Sequence, residues 1–206
     1  MTDIVPTPSV LLGLRDERSG MREGYQSLDE KRLVLAAALM AELARYKEVR
    51  RRFEPLLARA REALAAAIAR HGLEGVAVYP PAALTGAELA RTERTVLGVR
   101  LRHATLTLGG GAPAWLAEHP SAEAERAREA FAGLLAVAVE LGVHEGNLAR
   151  LQQEYQRTAR RARALEDVLL PELDGTIAEL ETTLEDMELE DAIRVRQPLR
   201  QAKNPP

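Results

Sequence analysis

The chain has 206 residues and a formal net charge of -3, with 29% charged and only 3% aromatic residues. Few aromatics beside many charges argue against a thick globular core, and the near balance of charge argues against an overall cationic surface for nucleic acid. Cysteine is absent, which excludes a disulfide framework, a thiolate metal site and a cysteine nucleophile.

The opening MTDIVPTPSV carries no cationic segment followed by an apolar run, so no secretory signal is expected. The longest apolar runs, such as 33–41, fall short of the roughly 20 residues a membrane span needs. The expectation is a soluble, cytoplasmic protein.

Thr7-Pro8 predicts a helix start. Threonine accepts a backbone N–H at the cap, and proline at the first helical position gives up an N–H that has no partner there. A heptad register then runs through Leu11, Leu14, Arg18, Met21, Tyr25, Leu28, Arg32, Leu35, Leu39, Glu42, Tyr46, Val49, Phe53, Leu56, Ala60, Ala63 and Ala67. Only Arg18, Arg32 and Glu42 break its apolar character. A helix of ~60 residues rising 1.5 Å per residue is ~90 Å long. Pro55 predicts a bend or one lost hydrogen bond, and His71-Gly72 predicts the stop with Gly72 as C-terminal cap. The first element is therefore an N-terminal coiled-coil helix over 8–71.

A middle region over 72–120 changes character. It holds Pro80-Pro81, β-branched clusters and Gly109-Gly110-Gly111. Segments 88–96 and 99–108 predict a β-hairpin (about 88–108) turning at or near Leu97-Gly98, with the triple glycine as its flexible exit. Ser121 then caps a second long helix over 121–197, with Glu123 and Glu125 at the positive end of its dipole. Its seam runs Leu134, Val137, Leu141, His144, Leu148, Leu151, Tyr155, Thr158, Ala162, Leu165, Leu169, then Leu173, Ile177, Leu180, Leu184 and Met187. Two successive steps of four around Pro171 read as a stutter. Gln197-Pro198 predicts the helix end and 198–206 a tail. The fold class is mostly α: an antiparallel two-helix coiled coil formed by the terminal helices, with a β-hairpin in the middle.

Reactive chemistry is not legible. The histidines at 71, 103, 119 and 144 lack metal-ligand spacing, the glycine run lacks the lysine and hydroxyl of a phosphate loop, and no catalytic group, cofactor or metal is expected. His144 falls on the seam and reads as a polar residue that fixes register. Arg50-Arg51-Arg52 and Arg157, Arg160, Arg161 and Arg163 lie among acids with few stacking aromatics, so salt bridges account for them better than nucleic acid does. The acid-rich 179–191 gives way to Arg194, Arg196, Arg200 and Lys203, cations that favour a helix C-terminus.

Three pieces of the chain resemble one family, the D subunit of V-type (vacuolar and archaeal/bacterial) ATPases. The first is Leu11-Leu12-Gly13-Leu14-Arg15, then Gly24, then Leu28-Asp29-Glu30-Lys31-Arg32; the second is Val96-Leu97-Gly98-Val99-Arg100. The third is Ala164-Leu165-Glu166, then Pro171, then Leu173-Asp174-Gly175-Thr176-Ile177, the most specific of the three. Departures occur at Arg15 and Asp29, where the family favours lysine, and at Asp174-Gly175, where it has Glu-Asn.

The resemblance implies a non-catalytic central rotor stalk, peripheral at the membrane. Its paired terminal helices would enter the ring of A and B subunits, its middle would hold the F subunit, and its far end would sit in the funnel-shaped subunit that links to the membrane ring. It would pass torque between ATP hydrolysis or synthesis and ion translocation, with no membrane insertion. Seam residues Leu11, Leu14, Met21, Leu28, Leu35, Leu165, Leu169 and Leu180 would hold the shaft together. Gly24, Lys31, Arg32, Gly98, Val99, Arg100, Pro171, Arg194 and Arg196 are the motif positions offered to partners. The alternative is a coiled-coil adaptor, scaffold or membrane-remodelling helical hairpin without a rotary role; a nucleic-acid binder ranks third and an enzyme acting alone last.

Overall fold

The computed structural model describes residues 5–80, 86–109, 117 and 119–201, with side chains up to 194. Helix α1 spans Pro8–Ala77, strands β1 and β2 span Glu88–Val96 and Val99–Thr107, and helix α2 spans Ala122–Ala164. A π-helical turn over Leu165–Leu169 leads into helix α3, Leu170–Gln201. The fold is mostly α, as the heptads predict, with long helices packed together and one antiparallel hairpin. Contacts divide the chain into two compact units, one of Met1–Leu33 with Gln156–Pro206 and one of Val34–Tyr155.

The caps form as the side chains dictate. Val10 N–H donates to Thr7 Oγ1 at 3.3 Å, and Ala124 N–H donates to Ser121 Oγ at 3.1 Å. At Gly72 the backbone takes φ 71° and ψ 169°, open to a residue without Cβ, yet helix resumes to Ala77. Gly72 is thus a break inside α1 and not its final cap. Pro55 sits within α1 with helical dihedrals around it. The second helical segment also outlasts its expected end, running through Pro198 to Gln201. A proline deletes one hydrogen bond without requiring that a helix stop. Gly110, Gly111 and the residues after 201 lie outside the described residues.

In the unit of 34–155, α1 and α2 run antiparallel, and α1 buries Leu35, Glu42, Val49, Ala60 and Ala67. The first three repeat every seven residues; the line of burial then passes to the other heptad position at Ala60 and Ala67. A straight helix drifts about 20° per heptad against a 3.5-residue repeat, which is the transfer seen here. Alanines Ala67, Ala124 and Ala127 pack together towards the Gly72 end. At the opposite end of this unit, Leu35 and Leu151 pack with Val99 and Leu101 of β2, so the hairpin lies on both helices. The hairpin turns through Leu97 (φ 46°) and Gly98 (φ 88°), two positive values that suit the right-handed twist of a two-residue turn.

In the unit that joins 1–33 to 156–206, the pairing is antiparallel as well. Arg15 meets Glu181 at 2.6 Å, Arg18 meets Asp174 at 3.2 Å, and Gly24 faces Leu165. Thr158, Ala162, Leu173, Ile177 and Leu180 are buried there, whereas the described α1 residues before Leu35 reach only half-burial.

The π turn explains one misplaced seam residue. Pro171 has no N–H to give the carbonyl of Asp167, and its ring crowds that oxygen. The chain responds by widening the turn, and Leu170 N–H reaches back five residues to Leu165 O. One extra residue enters the turn, so Leu170 takes the half-buried position and Leu169 is left 40% exposed. The stutter read from the spacing is, in the backbone, a π turn.

Candidate functional site

The densest polar geometry lies where β2 crosses the helix pair. Glu42 of α1, one of the three breaks in the heptad pattern, is 2% exposed. His144 and Asn147, one turn apart on α2, face it and are buried too. His144 Nδ1 lies 2.8 Å from Glu42 Oε1, and Asn147 Nδ2 donates to the same oxygen at 2.7 Å. An ionised carboxylate only accepts, so His144 carries its proton on Nδ1 in this bond.

Asn147 then ties the helices to the hairpin. Its Nδ2 donates to Arg102 O at 2.8 Å, while its Oδ1 accepts from Arg102 N–H at 2.8 Å and from Arg150 Nη2 at 2.7 Å. The peptide group of Arg102 fixes which end of the carboxamide is which. Both Asn147 N–H groups and both oxygen lone pairs are used, so nothing in that side chain is left unpaired inside the unit.

Burial is the largest influence on Glu42 and would raise its pKa. Hydrogen bonds from His144, Asn147 and Arg45, with the charge of His144, outweigh it and hold the carboxyl below its usual value. Elsewhere, burial and then the hydrogen bond to Glu125 raise the pKa of Tyr79. Tyr25 is raised chiefly by its hydrogen bond to Glu166.

The motif positions are spread over both units. Met21, Leu11, Leu14 and Leu28 are half-buried on α1, Leu35 is fully buried, Leu165 is half-buried at the start of the π turn, and Leu180 is buried. A Cβ added at Gly24 would touch only Leu165 Cδ1, at 4.0 Å, so that glycine permits an ordinary contact. Lys31 and Arg32 are half-buried, and Arg32 pairs with Asp29 at 2.5 Å. Gly98 makes the hairpin turn, Val99 is buried under it, and Arg100 is exposed. Pro171 follows the π turn. Arg194 is exposed and pairs with Asp191 at 3.5 Å, while the Arg196 side chain lies outside the described ones.

Asn147 and the Arg102 backbone escape sequence reading. The available signal was the coincidence of two polar seam residues, Glu42 and His144, which an antiparallel pairing sets face to face.

A mostly helical chain whose first and last segments pair antiparallel, with a hairpin held on the helices by an apolar cluster and the Asn147 carboxamide, has the makings of a structural component that works through its surfaces. Comparison with known proteins gives the particular family. The model of the ATP synthase D subunit matches residues 10–197. The chain is 33% identical over 204 residues to the V-type ATP synthase D subunit of Anaeromyxobacter dehalogenans (strain 2CP-C), covering 95% of each. It is 30% identical over 200 residues to the A-type ATP synthase D subunit of Methanopyrus kandleri, covering 95% of this chain and 85% of that one. Against the V-type ATP synthase D subunit of Thermus thermophilus it is 27% identical over 199 residues, covering 95% of this chain and 87% of that one. The chain belongs to the ATP synthase D-subunit family. None of its described helices is long and apolar enough to cross a membrane.

Proposed function

We propose that this chain is the central-stalk rotor subunit of a V/A-type ATP synthase, a non-catalytic part that carries torque between the A/B ring and the ion-translocating membrane ring. Family membership gives the complex. The observation that supports the rotary role is the antiparallel pairing of the terminal helices, with Arg15 on Glu181 and Arg18 on Asp174. Two helices joined along a seam resist bending and twisting better than one, and torque needs that stiffness.

The rotor reading also needs asymmetry. Three chemically identical sites around one shaft differ only if each meets a different face, and the energy comes from contacts that change with orientation. In this scheme ATP never touches the chain. The F subunit would sit on the middle region, the funnel-shaped subunit at the far end, and the complex would hold the chain at the membrane without insertion.

Co-expression with A, B and F subunits followed by size-exclusion chromatography tests the reading. The native chain should co-elute with them. Ile177→Asp, which puts a charge at a site 3% exposed, should abolish incorporation because an unpaired charge is costly to bury. A complex that couples ATP turnover to ion transport without this chain overturns the proposal.

A further inference from the structure

The hairpin is basic in a chain that is acidic overall. Its strands hold Arg91, Arg94, Arg100 and Arg102 with His103, against Glu88 and Glu93. Strand β1 is exposed at every position but Val96. Under the hairpin, a cleft of about 650 Å³ opens between α1, α2 and the strands. Arg45, Arg52, Arg94, Arg102 and His103 line it, and the Glu42–His144–Asn147 cluster forms part of its wall.

The acids of this cleft are already engaged. Glu42 is held by His144, Asn147 and Arg45; Glu140 pairs with Arg52 at 2.8 Å; and Glu48 pairs with Arg51 at 2.6 Å. Arg102 pairs with Glu93 at 3.1 Å. The side chains of Arg94 and His103 have no hydrogen-bond or ion-pair partner among the described residues. Cationic donors therefore outnumber the acids that could satisfy them, in a concave site whose wall is fixed by the buried Glu42 cluster.

We infer that this cleft docks an acidic segment of another subunit of the complex, with its carboxylates meeting Arg94 and His103, which the strand register places on one face of the hairpin. Guanidinium groups suit this partner because their paired N–H donors match the two oxygens of a carboxylate. The cleft also explains why β1, otherwise a bare edge strand, carries charge along its length: the charges discourage strand-to-strand aggregation while leaving a charged ligand free to bind. This rests on the stalk reading, which supplies the partner subunits.

A zero-length carbodiimide couples an amine to a carboxylate only when they touch. In the assembled complex carrying Arg94→Lys, the introduced amine is expected to form an amide with an Asp or Glu of another subunit, identified by mass spectrometry of the linked peptide. Arg94→Glu should weaken retention of that same subunit at least tenfold, and more so at low salt, with the chain's melting temperature unchanged. Coupling confined to Glu88 or Glu93 of this chain, or retention of every subunit unaltered by Arg94→Glu, overturns the inference. Binding of polynucleotide in place of a subunit overturns it as well. A complex that assembles and turns but gives neither signal leaves the rotor intact and removes only the acidic docking site.

Discussion

The two units make the same antiparallel pairing by different means. In the unit of 34–155, α1 buries five residues, and one of them is a glutamate matched by a histidine and an asparagine. In the unit of 1–33 with 156–206, the described residues of α1 reach half-burial at most, and the cross-helix ion pairs are 31–59% exposed. A buried polar match accepts one register and penalises the others, because sliding either helix strands a carboxylate away from its donors. Exposed ion pairs of this kind contribute little. The polar match therefore fixes the register within the unit of 34–155, whereas the exposed ion pairs constrain that of the other unit far less.

Substitution of Leu35 sharpens this contrast most. Leu35→Ala empties a site of 0% exposure and should cost about 2–5 kcal/mol. Leu14→Ala, at a half-buried position in the other unit, should cost about 1 kcal/mol or less. Denaturant unfolding of the two variants measures both, and equal losses would break the distinction.

Asn147→Ala comes next. It leaves Arg102 N–H, Arg102 O and part of Glu42 without partners, at about 1–3 kcal/mol for each buried group that water does not reach. Amide exchange should accelerate at Arg102 and along β2 before it does so in α1. Uniform exchange across the molecule would contradict the fastening role.

Acid should expose Glu42. Its pKa is lowered from 4.5 in the fold, so its contribution is present above the unfolded value and is lost as pH falls through the folded one. Glu42→Gln should remove part of the acid limb of the stability profile while leaving the neutral region nearly flat. The smallest effect belongs to Arg18→Ala, which breaks a half-exposed pair with Asp174 and should change stability by less than about 1 kcal/mol.

Much of this was readable from residue type and spacing. Each position in the α1 heptad series is buried or half-buried, from Leu11 to Ala67, because a long helix with one partner buries one stripe. Caps at Thr7 and Ser121 followed from side-chain chemistry acting within a single turn. Leu169 was misplaced because Pro171 acts on the carbonyl four residues back, and the π turn that results shifts the stripe by one residue. Asn147 could not be found the same way: its partners are a peptide group of β2 and a carboxylate of α1, separated in sequence by 45 and 105 residues. Arg94 was hidden too, since only the folded hairpin shows which guanidinium groups lack an acid.

The absence of cysteine permits a direct test of the central claim. Thr92→Cys on exposed β1 gives this chain one attachment point for a bead or gold particle, in a complex whose other subunits have had their exposed cysteines replaced. With the A/B ring fixed to a surface, the account predicts one-directional, ATP-dependent turning of that particle in discrete steps. A particle that stays still while the ring hydrolyses ATP would place this chain outside the rotor.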